Sequence, residues 1–158
     1  MTIKDLVLDH LTYTFEKEAW QPSLSAAIDG LTAEQAAWKP SPERHSIWQI
    51  VRHVILWKQG VLDALQGKVP DYRVMEKADW QEASGDGAAW LADVQTLRRL
   101  SQRLKRRAQS AAGAAMSRKI ATYKGVPDSV LAVRLTRMAT HDAYHAGQIQ
   151  YLRALQRI

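Results

Sequence analysis

The sequence predicts an all-α fold, a four-helix bundle, and three observations predict it. Apolar residues recur at intervals of three and four over long stretches, no stretch alternates with a period of two, and Gly, Pro and Ser-rich punctuation divides the chain into four long periodic segments. Its 158 residues fit one domain, 1–158, which on folding buries roughly two-thirds of the surface an unfolded chain exposes. Apolar residues make up 46% of the chain, with six Trp, five Tyr and one Phe, enough to build a packed core.

The first helix is predicted over Ile3 to Asp29, with Leu6, Leu8, Leu11, Phe15, Ala19, Leu24 and Ile28 on its apolar side and a kink at Pro22. Proline lacks the backbone N–H and its ring clashes with the preceding turn. Gly30 stops this segment. Thr32 followed by Gln35 has the form of a capping box, so a short helical turn is expected over Ala33 to Trp38 before Pro40 and Pro42 extend the chain.

Ser46 and Gln49 form a second capping box and open the clearest amphipathic segment, Ile47 to Leu65, whose stripe is Ile47, Ile50, Val54, Trp57, Val61 and Leu65. Gly67 and Pro70 end it, and a connector of about 20 residues without sustained period follows to Gly87. A third long helix is predicted over Ala88 to Ala111, from Trp90, Leu91, Val94, Leu97, Leu100 and Leu104. After a linker of about 15 residues ending at Gly125 and Pro127, the fourth runs from near Asp128 to Gln156.

Composition narrows the chemistry. Cysteine is absent, which removes disulfides, thiolate nucleophiles and every cysteine-containing zinc site, so a metal must be held by His, Asp or Glu. The segment Met1 to His10 carries Asp5 and Asp9 and lacks the basic start and apolar core of a signal peptide, and no apolar run approaches membrane-spanning length. A cytoplasmic setting without membrane contact is expected. The net charge of +6 permits contact with anions. The basic set Arg98, Arg99, Arg103, Lys105, Arg106 and Arg107 is spread around its helix without stacking aromatics, which reads as a solvated face rather than a nucleic-acid surface.

His141 and His145 stand one helical turn apart near the end of the chain. Five histidines give such a pair by accident in roughly one chain in eight of this composition, so spacing alone says little. Orientation says more. With Met138 set at zero and about 100° per residue, Leu131 and Ile149 lie near 20°, His145 near 340°, Leu152 near 320° and His141 near 300°. Both histidines therefore point into the apolar stripe, where an unsatisfied polar group costs on the order of 1 to 3 kcal/mol. A shared metal satisfies both, and so do hydrogen bonds to backbone carbonyls or to Tyr and Asp side chains.

His53 lies on the shoulder of the second long helix, along a flank with Trp57, Gly60 and Ala64, where small residues are expected to leave room for a pocket. Three neutral imidazoles, His53, His141 and His145, leave a divalent ion uncompensated with one or two free positions, which is catalytic rather than structural logic. Zinc and nickel suit imidazole best; iron, cobalt and manganese are further choices. His45 is expected on an exposed loop at the pocket mouth and His10 on the shoulder of the first helix, neither of them a ligand.

Further inward positions on the last helix are Arg134, near 320°, and Asp142, near 40°. Arg134 can clamp a substrate carboxylate or pair with Glu16 or Glu18. Asp142 can hold an arginine, orient a ligand histidine or make a structural hydrogen bond. Tyr144, near 240°, falls at the margin. Thr136, Ala139, Thr140, Ala143, Ala146 and Gly147 form a small-residue face that permits close helix approach, within the bundle or across a dimer.

The segment Ser46 to Trp57 (SIWQIVRHVILW), the preceding Gly30-Leu31-Thr32 and the closing Ala139 to Ile149 (ATHDAYHAGQI) resemble the DinB-like, or DinB/YfiT-like, metal-dependent four-helix bundles, over nearly the whole chain. That resemblance implies an up-down-down-up topology with the long crossover between helices two and three, a metal held by His53, His141 and His145, and a homodimer. Relatives include thiol S-transferases using bacillithiol or mycothiol, a mycothiol-dependent isomerase and a protein assigned as a metal-dependent hydrolase. The expectation is a metal-dependent enzyme acting on a small molecule, foremost a transferase of a low-molecular-weight thiol. A metal-dependent hydrolase is the alternative within the same class, and a non-catalytic metal-binding stress or interaction protein the alternative outside it.

Overall fold

A computed structural model describes residues 1–158. The chain is mainly helical: α1 (Ile3–Phe15), α2 (Leu24–Ile28), α3 (Ala33–Ala37), α4 (Ile47–Leu65), α5 (Tyr72–Ala78), α6 (Gly87–Ser110) and α7 (Leu131–Gln156). A 3-10 turn at Gly113–Ser117 and two short strands, β1 (Lys119–Ile120) and β2 (Ser129–Val130), lie between α6 and α7. The strands pair antiparallel, Lys119 opposite Val130 and Ile120 opposite Ser129. No helix is long and apolar enough to cross a membrane.

The predicted first helix is two helices. It ends at Phe15, and α2 restarts at Leu24 with Ser23 as its cap, the hydroxyl accepting from the Ala26 N–H at 3.2 Å. Pro22 disfavours helical backbone in the residue before it, and the capping serine after it offers a new N-terminus, so the chain breaks where a kink was expected. The boxes Thr32–Gln35 and Ser46–Gln49 both form, and α4 has the limits that its pattern predicts. The connector after α4 contains α5, whose N-terminus is held by Asp71 accepting from Arg73 and Val74. The strands escaped the period-two criterion because two residues cannot display an alternation.

α1 and α4 each pack against both α6 and α7, while α2 lies on α7 and α3 against α4 and α6. On α1 the inward residues are Val7, Leu11, Thr14 and Phe15; the predicted Leu6 faces solvent, as does Leu91 on α6. Two apolar clusters fill the interior. One gathers Phe15, Trp48, Val54, Leu97, Ala146 and Ile149, and the other Val7, Leu11, Val61, Leu104, Met138 and Ala139. Along α4 the clusters change over between Val54 and Val61, and along α7 between Ala139 and Ala146. The candidate site occupies that seam.

The small-residue face of α7 divides accordingly. Ala139 and Ala146 are fully buried in the two clusters, beside residues of α1, whereas Thr140 and Gly147 are exposed. The basic residues of α6 make surface contacts: Lys105 bonds Glu16 at 2.6 Å, Arg98 approaches Asp29 at 3.4 Å, and Arg107 donates to the Leu65 carbonyl at 3.1 Å.

Candidate metal centre

α4 carries His53 and α7 carries His141 and His145, and the packing of these helices brings the three imidazoles together. The Nε2 of His141 stands 2.9 Å from that of His53 and 3.0 Å from that of His145, and one ligand atom from each ring lies within 4.8 Å of the others. The helical azimuths foretold the burial order on α7. Asp142 and His145 are buried, His141 is half-buried and Tyr144 is exposed.

Two of the three outer ring nitrogens are engaged, and the third, His141 Nδ1, is buried without a partner. His53 Nδ1 is 2.8 Å from each carboxylate oxygen of Asp79, and His145 Nδ1 is 2.7 Å from Gln148 Oε1. Both partners are acceptor oxygens, so both imidazoles hold their proton on Nδ1 and turn an Nε2 lone pair toward the common centre. Gln148 is itself steadied by donating to the Tyr144 hydroxyl at 3.0 Å. Asp79, the C-cap of α5, also accepts from Trp57 Nε1 at 2.8 Å and from the Trp80 backbone N–H at 2.9 Å.

Burial keeps these rings neutral. It lowers His141 to about 3, helped by the repulsion that protonated His145 or His53 would add and by the charges of Lys58 and Arg134. It lowers His145 to about 4, with His53 adding to the effect and Gln148 and Asp79 opposing it. His53 is lowered too, since burial outweighs its hydrogen bond and attraction to Asp79. At neutral pH one proton on His141 Nε2 can satisfy only one of its two short contacts, leaving the lone pair of the other Nε2 about 3 Å away without a donor. A cation resolves that conflict. Three nitrogens at 2.0–2.1 Å from a tetrahedral zinc stand about 3.3 Å apart, within a few tenths of an ångström of these contacts. The donor set therefore fits a divalent metal ion.

Aromatic residues wall the cluster. Trp80 stacks on His53 at 4.0 Å between centroids and on the exposed His45 at 3.9 Å. Trp80 adopts φ 56°, a left-handed conformation that bulky residues rarely adopt. His45 thus reaches the centre only through Trp80, and His10 on α1 stays outside it. Gly60 does not open onto empty space as expected. The thioether of Met75 packs against it, and a methyl group at position 60 would stand 2.5 Å from the Met75 terminal carbon.

Asp142 neither orients a histidine nor holds an arginine. It forms a fully buried ion pair with Lys58, Nζ to Oδ2 2.5 Å, at the seam of the two clusters. Arg134 pairs with neither Glu16 nor Glu18; its guanidinium lies over the Tyr123 ring, 4.4 Å from the centroid. Arg134 and Tyr123 line a cavity of about 190 Å³ together with Trp57, Arg137, Met138 and the ligand-candidate His141. A wider cavity of about 550 Å³ meets the other side of the centre through Trp80, His45 and Gln148. The largest, of about 580 Å³ beside Arg107 and Arg118, shares no residue with the histidine cluster.

Sequence reasoning missed Asp79, Trp80, Gln148, Lys58 and Tyr123. Gln148 alone carried a local signal, three residues after His145 and so on the same helical side. No curated protein and no solved structure gives a significant match to the chain. The DinB superfamily matches residues 17–149, a span that takes in all three histidines and their partners Asp79 and Gln148, and the chain belongs to that superfamily.

Proposed function

We propose that His53, His141 and His145 are the ligands of a catalytic divalent metal, zinc or nickel, and that the protein is a metal-dependent transferase acting through a low-molecular-weight thiol. The observation that carries this reading is the convergence of three Nε2 atoms of neutral rings, two of which, His53 and His145, have their outer nitrogens fixed by Asp79 and Gln148. A divalent cation at this position supplies Lewis acidity, which favours the deprotonated form of a thiol or water that reaches its open side. The reading takes residues 1–158 as one cytoplasmic DinB-like domain, its four long helices in up-down-down-up order, functioning as a homodimer.

The chain's own residues favour the thiol over water. Attack by water is commonly assisted by a carboxylate that receives its proton, and the carboxylates Asp79 and Asp142 are both engaged elsewhere. Asp79 accepts from His53, Trp57 and Trp80, and Asp142 is bound to Lys58. A thiol, with its ordinary pKa near 8.5, loses its proton without such a base. Asp79 and Gln148 hold the rings of His53 and His145 in place, while Trp57, Trp80 and Tyr123 restrict water around them.

Untagged protein is expected to carry close to one divalent metal per chain by elemental analysis, and His145→Ala to lose it. Full metal retention in that variant would refute the three-histidine site. Consumption of a thiol in the presence of an electrophile, measured beside ester hydrolysis, then separates transferase from hydrolase. Inactivity of the metal-loaded protein in both assays supports the non-catalytic metal-binding protein instead.

A further inference from the structure

Arg134 is a cation without an anion. It makes no salt bridge, and its buried Nε and Nη2 make no hydrogen bond of good geometry, although the Tyr123 hydroxyl lies close enough to interact with the guanidinium. These two nitrogens share one edge of the guanidinium, where their N–H bonds run parallel at the spacing of two carboxylate oxygens. The Tyr123 hydroxyl is likewise buried and without such a bond. Unsatisfied buried donors are uncommon in folded proteins, and three on two stacked side chains lining one cavity call for an explanation. The face of Tyr123 offsets part of the charge.

The cavity they line also contains His141, and its volume of about 190 Å³ equals the liquid share of roughly six water molecules. Trp57 and Met138 give it apolar sides, and Arg137 adds a second positive charge. Small size, apolar walls and a planar two-pronged donor fit a short organic acid. A doubly charged phosphate is a poorer match, because the edge presents two parallel donors rather than a cradle of backbone N–H groups.

We propose that Arg134, with Tyr123, is the carboxylate-binding element of the substrate site, so that the protein selects a small carboxylate-bearing molecule with its reacting end toward His141. Arg134 forms the two-pronged contact and the Tyr123 hydroxyl donates a third hydrogen bond. As an assignment of substrate class this rests on the metal-centre reading; as an assignment of an anion site it stands on the cavity alone.

Two ligand pairs test it, each setting a carboxylate against an uncharged alcohol. Protein with its metal, reconstituted with cobalt, is titrated with 3-mercaptopropionate and with 2-mercaptoethanol, and thiolate binding is read from the cobalt absorption spectrum. The protein as isolated is titrated with benzoate and with benzyl alcohol, read by tryptophan fluorescence and calorimetry, which need no metal signal. The acid of each pair is expected to bind on the order of tenfold or more tightly. Arg134→Met should abolish the preference without changing metal content or 2-mercaptoethanol affinity, Arg134→Lys should restore part of it, and Tyr123→Phe should weaken it severalfold. Arg137→Ala controls for general charge.

Equal affinity for both members of each pair in the wild type, or a preference that survives in Arg134→Met, overturns the proposal. A benzoate preference lost in Arg134→Met alongside a protein that binds no cobalt upholds the anion site and rejects the metal centre. A cobalt-loaded protein that binds both thiols alike does the reverse.

Discussion

Asp79 receives the Nδ1 proton of His53 between its two oxygens, each 2.8 Å away, and so decides which nitrogen His53 presents to the centre. The carboxylate is nearly inaccessible and is held in turn by Trp57 Nε1 and the Trp80 N–H. A carboxylate behind a ligand imidazole fixes the tautomer, aligns the ring and raises its basicity. Because Asp79 ends α5, the short helix in the connector is what delivers this second layer of the site to α4.

Asp79→Ala is therefore expected to weaken metal binding about 10- to 100-fold while leaving the fold intact. Asp79→Asn, which can still accept one hydrogen bond, should fall between the two. Competition with a chromogenic chelator measures the effect. Wild-type affinity in Asp79→Ala would show that the carboxylate only anchors the connector.

Ser46 fixes the start of α4 and through it the height of His53. Its hydroxyl accepts from the Gln49 N–H at 3.1 Å while Gln49 returns a bond to the Ser46 N–H at 3.0 Å, and both residues are buried. Ser46→Ala leaves the Gln49 N–H dry and unpaired, at an expected cost of about 1 to 2 kcal/mol in urea unfolding. A change below a few tenths would mean that α4 is held by packing alone.

The long helices were legible because each carries its own period and punctuation, and α4 was read to its ends from Ser46, Gln49 and Gly67. The histidines were legible for the same reason, since azimuth on an amphipathic helix is a property of the helix alone. Asp79, Trp80 and Tyr123 were not. They sit in irregular segments whose positions are set by tertiary contacts with α4 and α7, and no periodicity encodes a contact between His53 and a residue 26 positions away. Lys58 was hidden differently: a lysine inside an apolar helix reads as a surface residue until its buried partner is known. Pro22 marked the right place and the wrong consequence, because the serine after it turned a kink into a new helix start.

The Lys58–Asp142 pair crosses the seam between the apolar clusters, with neither side chain reached by solvent and the ammonium 5.0 Å from the Phe15 ring centroid. Removing one partner of such a pair typically costs about 3 to 5 kcal/mol, because the other charge stays buried alone. Burial already raises the Asp142 pKa against the opposing pull of Lys58. In Lys58→Met that pull is gone, the folded-state pKa rises further above its unfolded value, and stability must fall as pH rises. Urea unfolding of Lys58→Met should thus show a smaller deficit at pH 5 than at pH 8, and adding Asp142→Leu should recover most of it. A deficit independent of pH would assign the loss to packing around the lysine stem.

The metal-free protein should lose stability on acidification because of the same three rings. In the unfolded chain each histidine titrates near 6.5, whereas in the fold burial lowers His141 to about 3 and His145 to about 4, with His53 lowered as well. Between those values the unfolded state binds more protons than the folded state, so stability rises with pH. It is fully present above about 6.5 and declines as pH falls toward the folded-state values, by up to about 1.4 kcal/mol per pH unit for each histidine. Denaturation of metal-free protein at pH 7 and pH 5 measures the slope. His141→Leu should flatten it, because it removes the ring with the lowest folded value and relieves the contacts that this ring makes with His53 and His145. Metal binding steepens the dependence, since protons compete with the ion for the same nitrogens. A metal-free protein as stable at pH 5 as at pH 7 would mean that the imidazoles charge freely inside the fold, and the neutral, converging lone pairs on which the metal assignment depends would be gone.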